Sequence, residues 1–267
     1  MNTKPSMTLR FLEAHAVFTF DEFMAAADPE VSKRTRETNL RNAILRQQAY
    51  RITRALYASN IGVYRDVPPN PLLVAGKAAP DAVLAYHSAL EAHGVAHSPA
   101  RVATFLSSRK VTPFDVGGYQ FRRGPDLAAR AGTPEAGVTH ARVDDMLVPV
   151  TTRERTLADC LKRLDLGGGV EEVLRSVGMF TTLSSAALTE YVVVLNSPTL
   201  AARVGWLMSL MAEAWLYDPE PLEHLRRLLG RGTYWLQRRR PGVQYEFVAA
   251  WRLYVPAAVP FHDWLRG

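Results

Sequence analysis

The stretch from Ser32 to Ser59, SKRTRETNLRNAILRQQAYRITRALYAS, constrains this chain more than any other. It holds seven basic residues, Lys33, Arg34, Arg36, Arg41, Arg46, Arg51 and Arg54, against one acid, Glu37, a surplus of six. The whole 267-residue chain has a net charge of +6, so the rest is balanced and the surplus is local. Leu40, Ala43 and Ile44 recur at i, i+3 and i+4, the mark of an amphipathic helix. After Gln48 the pattern changes: Tyr50-Arg51-Ile52-Thr53 alternates with period two and predicts a strand. A basic helix followed by a basic hairpin is how a winged helix-turn-helix enters a groove and grips the flanking backbone. Charge runs are more often solvated faces, so the reading depends on what precedes the helix.

Upstream, Met7 to Ala14 predicts a short helix with Leu9 and Leu12 inward. Thr19 and Glu22 have capping-box spacing, and Phe18 with Phe23 sits at hydrophobic-staple positions, so a second helix begins at Thr19. It is expected to stop near Asp28-Pro29, since proline disfavours helical geometry in the residue before it. Ser32 is a natural N-cap for the basic third helix. Two helices, a tight turn and a third helix with a basic outer face is helix-turn-helix order. At about 100° per residue, Arg34, Thr35, Thr38 and Arg41 fall outside the apolar stripe. Arginine suits the O6/N7 edge of guanine, and threonine meets a base edge or a phosphate. In the hairpin, Arg51 and Arg54 would take phosphates. The predicted DNA-contacting set is Ser32, Lys33, Arg34, Thr35, Arg36, Thr38, Arg41, Arg51 and Arg54.

The balance of 48% hydrophobic and 22% charged residues is that of an ordinary globular protein and excludes wholesale disorder. A pI near 9.6 points to a polyanionic partner. Cys160 is the only cysteine, which excludes an internal disulfide and a cysteine-based zinc site and fits a reducing cytosol. The N-terminus lacks the apolar core of a signal peptide, and the apolar segment Val204 to Ala212 is too short to span a bilayer. A cytoplasmic protein without a membrane partner is expected.

Asp66-Val67-Pro68-Pro69-Asn70-Pro71 is the densest proline run and predicts a domain boundary near residue 66, giving domains 1–65 and 66–267. Pro80 and Asp81 are expected to open a helix through AVLAYHSALEAH that Gly94 closes. Strands are expected at 102–106, 119–121, 138–143 and 146–150. A helix from Thr151 is broken by Gly167-Gly168-Gly169, and further helices are expected around 170–178, 184–195 and 198–217. Tyr234 to Gln237 and Tyr245 to Tyr254 read as strands. The fold class is α+β, an N-terminal winged helix-turn-helix followed by a mixed α+β domain.

At YHSALEAHG (Tyr86 to Gly94), TTRERTLADCL (Thr151 to Leu161) with the triple glycine, and Trp251-Arg252-Leu253-Tyr254-Val255-Pro256, the chain resembles the AbiEi family. These are antitoxins of abortive-infection, type IV toxin–antitoxin pairs, and the similarity runs over essentially the whole chain. The resemblance implies a non-enzymatic protein without cofactor that represses its own operon by binding operator DNA. Its second domain would neutralise a cognate nucleotidyltransferase toxin. Binding as a dimer, and direct contact with the toxin, are left open. The hairpin departs from the family: Ala55 and Gln48-Ala49 stand where glycine is common. An alanine at positive φ costs on the order of 1 kcal/mol, so the turn is expected to differ.

Other residues invite chemistry. Thr151 and Glu154 have capping-box spacing, so Glu154 reads as a cap. Arg155 and Asp159 read as an i, i+4 helix pair. Glu154 and Asp159 stand about 140° apart on a helix, a poor arrangement for joint acid–base work. His87, His93 and His97 lack metal-ligand spacing, so core or surface roles are favoured. Ser88 lacks the context of a nucleophile elbow, and the glycine run follows a helix, unlike a phosphate loop. Cys160 reads as a small buried hydrophobe. No catalytic or metal residue is therefore predicted. Arg238-Arg239-Arg240 marks a second basic region, open to three readings: solvated loop, second nucleic-acid contact, or toxin-facing surface. Two rival functions stay open: a stand-alone regulator with a ligand-sensing second domain, and an enzyme, toxin-modifying or nuclease, in that domain.

Overall fold

Helix caps set the first boundaries. A computed structural model describes residues 6–26, 29–211 and 220–265. Ser6 caps α1 (Met7–Ala14), which buries Phe11 and Leu12. Strand β1 (Val17–Thr19) runs into α2 (Phe20–Ala25). There the Thr19 N–H donates to Glu22 Oε2 at 2.7 Å and the Glu22 N–H to Thr19 Oγ1 at 3.1 Å, a reciprocal capping box. Asp28, half of the expected proline stop, lies outside the described residues; α2 ends at Ala25. Ser32 caps α3 (Lys33–Leu45), which buries Leu40 and Ala43.

The end of α3 is a Schellman motif, with Gln48 N–H bonded to Ala43 O and Gln47 N–H to Ile44 O, each at 2.9 Å. The left-handed residue this motif needs is Gln47, at φ 57°. The expectation of strain at Ala55 is thereby corrected: Ala55 is not at positive φ, and the Ile52 and Thr53 N–H groups close the hairpin onto Leu56 O. Strands β2 (Ala49–Arg51) and β3 (Leu56–Ser59) join β1 in an antiparallel sheet ordered β1-β3-β2. Phe11 anchors the core, its ring edge-on to Phe18 and Phe23 at 5.2 Å from each.

The chain forms two compact units. The first takes residues 1–82, 101–103 and 107–123; the second takes 83–100, 104–106 and 124–267. The proline run expected to end the first domain lies inside the first unit. Asn70 caps α4 (Pro71–Gly76), with Pro71 in the first turn, where its missing N–H is harmless. Lys77 Nζ then pairs with Glu22 Oε1 at 2.6 Å. The helix expected to open at Pro80 and Asp81 does not. Asp81 instead accepts from Ser107 Oγ, Ser108 N and Ser108 Oγ at 2.6–2.8 Å. Val83–Leu84 form β4, and α5 is confined to His87–Ala92, with Gly94 closing it at φ +71°.

Then follow β5 (Val102–Leu106), β6 (Phe114–Val116), β7 (Tyr119–Arg123), α6 (Leu127–Arg130), β8 (Val138–Val143), β9 (Met146–Thr151) and α7 (Arg153–Lys162). The hairpin β6–β7 belongs to the first unit. In the second, β4 pairs antiparallel with β5 and parallel with β9, which pairs with β8. Helices α8 (Val170–Gly178), α9 (Ser185–Leu195), α10 (Pro198–Leu210) and α11 (Glu220–Arg227) build the core with α7, around Leu157, Leu161, Val173 and Leu207. The expected continuation of α10 to residue 217 lies, beyond Met211, outside the described residues.

Strands β10 (Tyr234–Trp235), β11 (Tyr245–Val248) and β12 (Leu253–Pro256) form a small sheet ordered β10-β12-β11, before α12 (Phe261–Leu265). The single strand expected over Tyr245 to Tyr254 is thus two strands, turned at Ala249–Trp251 with Arg252 at φ 51°. Trp251 is buried against α10, where Gly205 leaves room for the indole and Ser209 Oγ accepts its N–H at 2.9 Å. The protein is mixed α+β. Among the described residues no helix is long and apolar enough to cross a membrane.

Candidate nucleic-acid interface

On α3, Lys33, Arg34, Thr35, Thr38 and Arg41 are all exposed. Lys33, Arg34 and Arg41 have no ion pair or side-chain hydrogen bond among the described residues. The first turn of α3 contains no acid. Cations there face the positive end of the helix dipole, an unfavourable placement that a bound polyanion would relieve. Ser32 is engaged as the cap, its Oγ accepting from Thr35 N at 3.2 Å. Thr38 Oγ1 donates to Arg34 O at 2.9 Å.

Two arginines of the predicted contact set bond the protein's own carbonyls. Arg36 donates from Nε to Val31 O at 2.8 Å, from Nη1 to Met24 O at 2.7 Å and from Nη2 to Pro29 O at 3.3 Å. Its guanidinium staples the turn between α2 and α3. A signal for this was present, since Arg36 stands four residues before Leu40, on the inward stripe. Arg51 bonds Thr53 O and Arg54 O at 2.9 and 3.1 Å and so shapes the hairpin loop. Arg54 is exposed and keeps its donors. Asn39 and Asn42, exposed on α3, escaped the prediction; asparagine suits the N6/N7 edge of adenine.

In the second unit the expected capping box is shifted by one residue. Thr152 caps α7, accepting from Arg155 N at 3.3 Å, while Thr151 ends β9 with its buried hydroxyl 2.6 Å from Thr156 Oγ1. Glu154 accepts from Ser184 N at 2.9 Å, at the start of α9. The Arg155–Asp159 pair is part of a buried network rather than a surface pair. Arg155 bonds Asp126 at 2.7 Å, Asp159 at 3.4 Å and the carbonyls of Pro134 and Ala136, and Tyr191 Oη donates to Asp159 at 2.8 Å. Burial raises the Asp159 pKa to about 7, outweighing the opposing pull of Arg155 and Tyr191.

His87 Nε2 lies 3.2 Å from Glu172, and His93 Nε2 lies 2.7 Å from Thr151 O. Glu172 ties down the backbone of His97 and Ser98. Among the described residues no group of three or more His, Cys, Asp or Glu is placed to hold a metal ion. Ser88 Oγ is buried and accepts from Thr104 N at 2.8 Å. Gly168 and Gly169 take φ 89° and 100°, and a Cβ on Gly168 would stand 2.6 Å from Glu172 Cγ. Cys160 is fully buried against Gly167, and burial raises its pKa. Arg238, Arg239 and Arg240 are exposed, with Arg239 over the Trp235 ring at 5.8 Å.

No protein-family profile and no curated protein matches the chain. Among solved structures it is similar to the RV2827C protein from Mycobacterium tuberculosis, at TM-score 0.57 and 12% sequence identity over 94% of this chain and 92% of that one. At that identity the likeness is one of fold alone, and it extends along nearly the full length of both proteins.

Proposed function

We propose that this protein is a non-enzymatic antitoxin that represses its own operon by binding operator DNA. Its N-terminal helices and hairpin act as a winged helix-turn-helix, and its second domain neutralises a cognate nucleotidyltransferase toxin. One observation carries the DNA half: α3 presents Lys33, Arg34 and Arg41 to solvent without partners of their own. Arg34 and Arg41 read bases or phosphates, Lys33 takes a phosphate at the helix start, and Arg54 grips the flanking backbone. Arg36 and Arg51 position these groups without touching DNA. The toxin half rests on the resemblance at Tyr86–Gly94, Thr151–Leu161 and Trp251–Pro256.

The two halves are tested in the full chain. Joint substitution Arg34→Ala and Arg41→Ala should abolish repression of a promoter reporter while growth rescue from the co-expressed toxin persists. Undiminished repression by this folded double variant would remove α3 from DNA recognition. Loss of rescue together with repression would break the division of labour.

A further inference from the structure

The small C-terminal sheet has two unlike faces. Leu253 and Val255 of β12 are buried in the core of the second unit. Their neighbour Tyr254 points the other way, and rings gather around it. Trp235 stacks on Tyr254 at 4.5 Å, Phe247 leans on Tyr254 at 4.9 Å, and Tyr245 meets Trp235 edge-on at 4.9 Å. The register explains the row: Tyr254 is the direct partner of Trp235 on β10 and of Phe247 on β11. Phe247 ends the row 44% exposed, a large uncompensated apolar surface.

Charge completes the pattern. The loop from β10 to β11 carries Arg238, Arg239 and Arg240, none with an ion pair among the described residues. Arg239 lies over the Trp235 ring, and Arg240 N–H donates to Tyr245 Oη at 2.9 Å, which binds the loop to the ring row. The one acid of this sheet, Glu246, is the partner of Val255 and so belongs to the opposite face. Rings with flat faces and unpaired guanidinium groups, without acids among them, match a chain of stacked bases joined by phosphates.

We propose that this face binds single-stranded RNA, a base stacking on the exposed Phe247 ring that the Tyr254–Trp235 pair backs, while Arg238 to Arg240 hold the phosphates. RNA is favoured over DNA because loops and ends leave its bases unpaired as an ordinary state. Gln237 and Gln244, beside the two edge strands, supply amides of the kind that bond a ribose 2′-hydroxyl. The proposal stands whether or not α3 reads an operator.

The test is anisotropy of a short labelled RNA of mixed sequence with the full chain at low salt. Phe247→Ala should weaken binding about tenfold, and Phe247→Tyr should retain it. Changing Arg238, Arg239 and Arg240 together to alanine, on an exposed loop, should weaken it about a hundredfold and flatten its salt dependence. A deoxy strand of the same sequence should bind more weakly. The proposal is overturned if the parent binds no RNA, if the deoxy strand binds at least as tightly, or if neither the ring nor the arginine variant weakens binding. It is equally overturned if Phe247→Ala loses toxin protection with RNA binding intact, which would assign the face to a protein.

Discussion

Arg36 Nη1 donates to the Met24 carbonyl at 2.7 Å, so an arginine of the basic helix is committed to holding α2 in place. Arg36→Ala should therefore cost stability, about 1–3 kcal/mol for the carbonyls left without a donor. Arg34→Ala should leave the unfolding midpoint unchanged and weaken duplex binding, lowering the salt slope by about 0.9 if one phosphate contact is lost. Thermal melts beside operator titrations at several salt concentrations separate the two. An Arg36 variant that melts like the parent would contradict the staple.

Gln47 occupies the left-handed position that ends α3. Gln47→Gly should raise stability by about 0.5–1 kcal/mol, because glycine enters this region freely and the bond from Asn60 Nδ2 to the residue-47 carbonyl is kept. Urea unfolding reads the change; a destabilised variant would mean that the glutamine side chain has a role of its own.

At α7 the cap is Thr152. Thr152→Ala should cost about 1 kcal/mol. Glu154→Gln keeps an oxygen for the Ser184 N–H and should leave growth rescue nearly intact. A folded Glu154→Gln protein that no longer protects would revive an enzymatic reading of this helix.

Asp159 gives the second unit a pH dependence of defined sign. Its pKa of about 7 stands above the ordinary 3.8 of the unfolded chain. Between about pH 4 and 7 the folded state keeps a proton that the unfolded state has lost, so this group's contribution to stability falls as pH rises and is level above pH 7. Asp159→Asn should remove that slope. Urea midpoints at pH 5 and pH 8, parent against variant, measure it; equal shifts in both proteins would exclude the linkage.

What the sequence disclosed follows the range of the forces involved. Caps at Thr19 and Ser32 act within three residues, and the second and third helices were legible from them. Val83–Leu84 looked helical because their partners, Leu106 and Val150, are remote. The break at Arg252 was hidden because a non-glycine residue takes positive φ there. Likewise, Arg155 met Asp126 across 29 residues, and no local pattern announces such a network. The basic face of α3 was legible as a charge surplus; that Arg36 of α3 and Arg51 of β2 bond backbone carbonyls required coordinates.

The Trp251 indole sits on α10, its N–H bonded to Ser209, 42 residues earlier in the chain. During synthesis at roughly 5–20 residues per second, the groove beside Gly205 is made and then waits about 2–8 seconds for its occupant. A chain released without Trp251 exposes an apolar slot to chaperones and proteases. Premature stops shortly before Trp251 should therefore be cleared as incompletely folded protein, although every residue of the basic helix has been made.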